Sequence, residues 1–302
     1  MSDWLDMEYD EILNEAIMSE TPILVVEGVD DVSVYEGIVF DIEKDIEIIA
    51  VENLKGMDAG NRGVINFLEA LYELNFDGRV EDYILGIIDR DARYFRGEIV
   101  TFPALLILKW YSMESHFITK EAVKGVVGNC TRTRGKLISD ELIDGMFNRI
   151  LDKLMELYYV SLESLKNACV NDYIGVASYR MAVPQMRGTG VIAQIESKHD
   201  ELDVFAETMG VTKDFEGLLG ICKGKWLIGE FAKVLISEIK ELNNQCSTGV
   251  IQQCQFCHNG KIDMCLYSFS VNYNEAQIGN IIKNNEGYTQ FSYVKQAIQM
   301  MV

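Results

Sequence analysis

The chain has 302 residues, enough for about two domains of roughly 150 residues, each with its own hydrophobic core. Hydrophobic residues make up 48%, charged residues 25%, and only three prolines occur, which excludes a disordered chain. The charge is lopsided: of a net −20, residues 1–100 carry −18 (25 acids, 7 bases) and the remaining 202 residues carry 22 acids and 20 bases, so the amino-terminal third cannot bind a polyanion by bulk attraction.

Residues 1–20 read as an acidic amphipathic helix whose Trp4, Leu5, Ile12, Leu13, Ala16 and Ile17 share an apolar face. The pattern then changes. Ile23 to Val26 form a short apolar run that ends in Glu27 and Gly28, followed by Asp30 and Asp31 where a helix amino terminus favours acids. Ile46 to Val51 read as a second strand, with Glu52 to Gly56 as the loop after it, and Asn61 to Leu74 have helical spacing. Tyr83 to Ile88 make a third, fully apolar strand that ends in Asp89, Arg90 and Asp91, and Leu105 to Leu108 a fourth. Fully apolar strands alternating with helices predict an α/β fold: a parallel sheet with helices on both faces. From about residue 115 the chain reads mainly as helices, at 115–127, 138–158, 161–170, 191–209, 223–243, 274–284 and 291–301. The expected division is therefore an α/β domain at 1–127 and a mainly helical domain at 128–302. A polar, basic loop with Arg132, Arg134 and Lys136 separates the first two of these helices.

Seven cysteines, an odd number, argue for reduced thiols rather than a disulfide framework. The acidic start, where a secretory signal would be basic, and the lack of any apolar run of 18 residues point to a cytoplasmic protein with no membrane segment. Four cysteines crowd together: Cys254 and Cys257 have the spacing of a zinc knuckle, and Cys246 and Cys265 complete a possible tetrahedral thiolate set. Buried thiols without metal are the competing reading. The string from Cys254 to His258 also spells a haem-attachment motif, which a five-residue match does not support.

In open parallel sheets, functional groups gather at the carboxyl ends of strands, beside the crevice where strand order reverses. Glu27 ends the first strand, and Asp89 and Asp91 follow the third. Two residues apart at a strand end, Asp89 and Asp91 point the same way, and with Glu27 across the crevice they form an oxygen-ligand set suited to Mg2+ or Mn2+. Such an ion polarises a phosphodiester and generates hydroxide, while a carboxylate outside its inner shell moves protons.

These two strand-end motifs, about sixty residues apart, resemble the Toprim domain of topoisomerases, bacterial primases and overcoming-lysogenisation-defect nucleases. More closely, Val25 to Asp31, with Glu114 and Ser115 after the fourth strand and Gly224 and Lys225 opening a late helix, are similar to Toprim proteins of prokaryotic defence islands, among them the effectors of PARIS anti-phage systems. The resemblance covers residues 21–120. It implies Glu27 as general acid/base or metal ligand, Asp89 and Asp91 as magnesium ligands, Glu114 and Asp31 completing the acidic site, and Lys225 as a phosphate or transition-state contact. It implies a nuclease toxic to its host, acting on RNA (transfer RNA being the implicated class) or DNA as a homodimer, and held inactive by an ABC-type ATPase sensor.

Lys55 and Arg62, flanking the loop after the second strand, are placed to touch phosphate, and Arg90, Arg93 and Arg96 supply positive charge beside the acids. The sequence from Gly220 to Trp226 lacks the spacing and ending of an ATP-binding phosphate loop. Two other readings stand beside the nuclease. The strand-end Asp89-x-Asp91 also occurs in haloacid-dehalogenase-type phosphatases, although Arg93 stands where that family has Thr or Val. A non-catalytic Toprim-like adaptor or nucleic-acid mimic would bind a partner through its acidic face. Because 16 acids stand against one base in residues 1–52, substrate is expected to approach from the Arg90–Arg96 and Arg132–Lys136 side, leaving the acidic face to a protein partner.

Overall fold

Four short apolar runs pair as a parallel sheet in the order β2-β1-β3-β4: β1 (Ile23–Val26), β2 (Glu47–Ala50), β3 (Ile84–Ile88) and β4 (Leu105–Ile107). The computed structural model describes residues 7–98, 100–182, 184–185, 190–284 and 288–302. Every expected strand forms, and the α/β architecture is consistent with a Toprim-like sheet. In register, Val25 pairs with Ile49 and Gly86, and Val26 with Ala50.

The chain crosses from β1 to β2 through α2 (Val29–Val39) and returns from β2 to β3 through α3 (Asn61–Glu73). Right-handed crossovers running in opposite directions put those helices on opposite faces. Packing follows the alternation of the strand. Ile23 and Val25 join Ile12, Leu13, Val64, Phe67, Leu68 and Leu71 in one core beneath α1 (Tyr9–Ser19) and α3. Leu24 and Val26, fully buried, face the other way with Val34, Tyr35 and Ile38 of α2. At about 1.5–3 kcal/mol for each large aliphatic buried, these two layers supply most of the unit's stability. Gly86 admits α3 closely, since a Cβ there would lie 2.7 Å from Val64 and 2.9 Å from Leu68. Trp4 and Leu5, assigned to the first helical face from sequence, lie outside the described residues.

The chain divides into two compact units, one ending at Lys109 but regaining Tyr288–Val302, the other spanning Trp110–Gly287. The boundary thus differs from the one expected at residue 127. The last helix belongs to the sheet unit: Lys109 donates its backbone N–H to Tyr293 Oη at 2.9 Å, Lys295 pairs with Asp41 at 2.6 Å, and the Val302 N–H reaches the Asp82 carbonyl at 2.8 Å.

The second unit is helical. Its longest helix, Gly224–Thr248, buries Trp226, Leu227, Phe231, Leu235, Ile239, Leu242 and Cys246 along one stripe and ends at Gly249 in the left-handed region. Three expected helices are cut differently. The first starts as a 3-10 turn, Met113–Phe117, before Thr119 caps Lys120–Cys130. The next stops at Leu154 and resumes at Tyr158 after a 3-10 turn. The helix expected over 191–209 breaks between Glu196 and His199, where Lys198 reaches the fully buried Glu163 carboxylate at 3.1 Å and the Tyr173 hydroxyl at 3.1 Å. A short helix, Phe215–Ile221, capped by Asp214, was not legible in the sequence. No helix among the described residues is long and apolar enough to cross a membrane.

Candidate active site at the ends of the central strands

Strand order reverses between β1 and β3, and their carboxyl ends flank the crevice where open sheets bind ligands. Glu27 leaves β1 there. Its Oε1 accepts the backbone N–H of Asp89 at 2.6 Å, so the two strand ends are tied through the candidate carboxylate itself. The Gly60 N–H bonds the Glu27 carbonyl at 2.8 Å, which holds the loop before α3 against the site.

Burial raises the Glu27 carboxyl from its ordinary 4.5 to about 7; the Asp89 and Asn61 N–H groups oppose that rise, and the nearby charges of Asp31 and Asp91 reinforce it. A half-buried acid near neutrality can both take and give a proton at physiological pH.

Asp91 opens α4 (Asp91–Arg96) with φ of +37°, in the region non-glycine residues seldom occupy. Its two oxygens are held: Asn61 Nδ2 donates to Oδ2 at 2.8 Å and the Arg93 N–H to Oδ1 at 2.5 Å. Asn61, the first residue of α3, therefore meets both acids, touching Glu27 through its backbone and Asp91 through its side chain. From sequence Asn61 marks only the start of a helix; its place beside both acids follows from the parallel order of the strands.

Two tyrosines also went unnoticed. Burial, with the charges of Asp89, Asp31, Tyr293 and Glu27, holds the Tyr35 phenol well above its usual range. Burial, only partly offset by the Lys109 N–H, together with the charge of Asp89 brings the Tyr293 phenol to about 12. Both stay protonated at neutral pH, which disfavours a phenolate nucleophile at these strand ends.

The basic residues named from the sequence make contacts of their own within the sheet unit. Arg90 is turned into its own unit: its guanidinium lies 3.5 Å from the Tyr94 ring centroid and Nη1 donates to the Lys109 carbonyl at 3.0 Å. Lys55 pairs with Glu8 at 2.6 Å on the surface, and Arg96 with Glu98 at 2.7 Å. Arg62 is exposed on the first turn of α3, and Arg93 is half-buried on α4.

Glu114 and Lys225 lie in the second unit, where the helix that carries Lys225 starts against Glu114. Glu114 Oε2 accepts the Ser112 hydroxyl at 2.8 Å, and a Cβ on Gly224 would lie 2.2 Å from the same oxygen, so Gly224 is required for the long helix to start against Glu114. Lys283 approaches Glu114 at 3.7 Å, whereas Lys225 is exposed. With Lys223, Lys233, Arg180 and Trp226 it lines an open cleft of about 700 Å³.

Among the described residues, the one group of His, Cys or acidic side chains gathered closely enough to ligate an ion jointly is Cys246, Cys254, Cys257 and Cys265, all buried, with sulfurs within 4.8 Å of one another. His258 is exposed and outside it. Glu27, Asp89 and Asp91 are not part of that group. No protein-family model and no curated protein matches the chain.

Proposed function

We propose that this protein is a Mg2+- or Mn2+-dependent Toprim-type nuclease that cleaves RNA, with transfer RNA as its substrate class, and serves as the effector of an anti-phage system restrained by a partner ABC-type ATPase. The observation that carries the nuclease reading is Glu27: a carboxyl near neutrality, fixed to the Asp89 amide at the point where strand order reverses. Asp89 and Asp91 are the residues that would hold the ion, which when bound would polarise the phosphodiester and supply hydroxide. Glu27 would take the proton from the attacking water at neutral pH. Asn61 holds the Asp91 carboxylate in one orientation, and the Asp89 N–H holds that of Glu27, so neither must be ordered during reaction.

The test is direct. Purified protein with Mg2+ or Mn2+ is expected to nick transfer RNA, and Glu27→Ala or Asp89→Ala to reduce the rate at least 100-fold while leaving the folded circular dichroism intact. Intact transfer RNA and intact DNA with the wild-type protein, together with undiminished toxicity of Glu27→Ala in cells, would sink the proposal.

The −16 balance of the sheet unit, 25 acids against 9 bases, favours one second reading: a non-catalytic adaptor that binds a basic partner. Calorimetric titration separates the two. A nuclease site gives saturable Mn2+ binding that Asp89→Ala abolishes; an adaptor gives none.

A further inference from the structure

The four clustered cysteines play no part in the strand-end chemistry, and the segment that carries them is built in an unusual way. Between residues 250 and 264 most aliphatic side chains face solvent: Val250 is 74% exposed, Ile262 49% and Met264 45%, while Ile251 is half-buried. The thiols face inward instead, with Cys246 and Cys265 fully buried and Cys254 and Cys257 nearly so. The interior of this segment is made largely of sulfur, and its regular structure is one four-residue helix, Gln255–His258, and one 3-10 turn, Ile262–Met264. Apolar packing of that kind does not hold a fifteen-residue excursion in place, whereas a metal staple does.

Three backbone amides point at two of the sulfurs. The Cys254 N–H donates to Cys246 Sγ at 3.3 Å, and those of Cys257 and Leu266 to Cys254 Sγ, each at 3.5 Å. Such donors favour thiolate, the form that binds metal. Four sulfurs at about 2.3 Å from a central zinc would stand about 3.8 Å apart, which the observed spread of 4.8 Å reaches with small rotations of the side chains. An iron–sulfur cluster distributes its thiolates over several metal atoms and needs them farther apart than this.

We propose that Cys246, Cys254, Cys257 and Cys265 bind one Zn2+ in a closed tetrathiolate site whose role is to fix the basic loop at 130–138. The connection runs through the residues that follow Cys265. Leu266 accepts the Arg132 N–H at 3.0 Å, Ser270 donates to the Cys130 carbonyl at 2.8 Å, and the Tyr267 hydroxyl donates to the carbonyls of Leu137 at 3.0 Å and Gln252 at 3.1 Å. Thr131 and Phe269 form an antiparallel bridge between the same two stretches. Arg132, Arg134 and Lys136 are thereby carried on backbone anchored directly beside the fourth ligand. The zinc site stands on the cysteine geometry alone and holds whether or not the protein is a nuclease.

Elemental analysis of the full-length protein, purified without chelator, should find about one zinc per chain. Stepwise modification of the native thiols by a mercurial, with an indicator dye present, should release that zinc as the fourth thiol reacts. Cys254→Ser with Cys257→Ser should abolish the metal, and Cys169→Ser should leave it. Because the double variant risks misfolding, hydrogen exchange on wild-type protein before and after zinc removal gives the second readout: amides of 130–138 should exchange at least tenfold faster once the metal is gone, while those of β1 and β3 are unchanged. Wild-type protein that contains iron or no metal, cysteine pairs recovered as disulfides, or a loop whose exchange ignores the metal would overturn the proposal.

Discussion

Glu27 concentrates the chemistry of the strand ends in one side chain, and its titration is visible in stability as well as in activity. The carboxyl loses its proton near pH 7 when folded and near 4.5 when unfolded. The stability gained by keeping it neutral is therefore complete below about pH 4.5 and disappears as pH rises through 7, a swing of about 3 kcal/mol at most. Glu27→Gln retains an acceptor for the Asp89 N–H and cannot ionise. In metal-free protein with chelator present, the wild type should lose stability relative to Glu27→Gln between pH 5 and pH 8, and denaturant titrations in that range should show the two curves diverging. Parallel curves would mean that the carboxyl is solvated. Glu27, Asp89 and Asp91 were legible because a strand end fixes both position and direction for a side chain. Asn61, Tyr35 and Tyr293 were not, since each reaches the site from a helix whose rotation about its axis the apolar pattern defines only to within a residue or so.

The strands were the elements the sequence marked best: each is a continuous apolar run with polar punctuation, and a strand buried on both faces leaves no other explanation for such a run. Helix ends were marked less well, because the break at Lys198 depends on a buried acid from another helix and the final helix serves a sheet far from it in sequence. The start of α3 depends on a feature of a third kind, a missing side chain. A Cβ on Gly63 would lie 1.8 Å from the Asp58 carbonyl oxygen, a backbone atom that cannot swing aside. Gly63→Ala must push the loop before α3 outward, and that loop carries the Gly60 N–H bonded to Glu27. The expected cost is about 1–3 kcal/mol in denaturant titration, with Mn2+ affinity falling alongside. A variant as stable as wild type would show that the loop yields freely.

Charge is organised at the scale of the whole molecule, with 25 acids against 9 bases in the sheet unit and a near balance of 22 against 18 in the helical one. At most four or five of those acids stand at strand ends where a bound cation would offset them, so most of the imbalance serves another purpose, and a polyanion needs positive charge from elsewhere. The loop at 130–138 offers it, but its three cations are not equivalent. Arg134 Nη1 is spent on the carbonyls of Gly128, Thr131 and Thr133, at 2.6, 3.2 and 2.6 Å, which makes that guanidinium a staple of the loop. Arg132 and Lys136, exposed like Arg134, take no part in that staple. If RNA docks here, Arg132→Glu and Lys136→Glu should each weaken binding and reduce the slope of log affinity against log salt by about one, with the melting temperature unchanged. Arg134→Glu should instead raise hydrogen exchange across 128–138 and lower the melting temperature, because three carbonyls lose their donor. Salt slopes that stay at the wild-type value in the Arg132→Glu and Lys136→Glu variants would move the RNA surface off this loop, leaving the cleft lined by Arg180, Lys223, Lys225 and Lys233 as the next cationic surface to reverse.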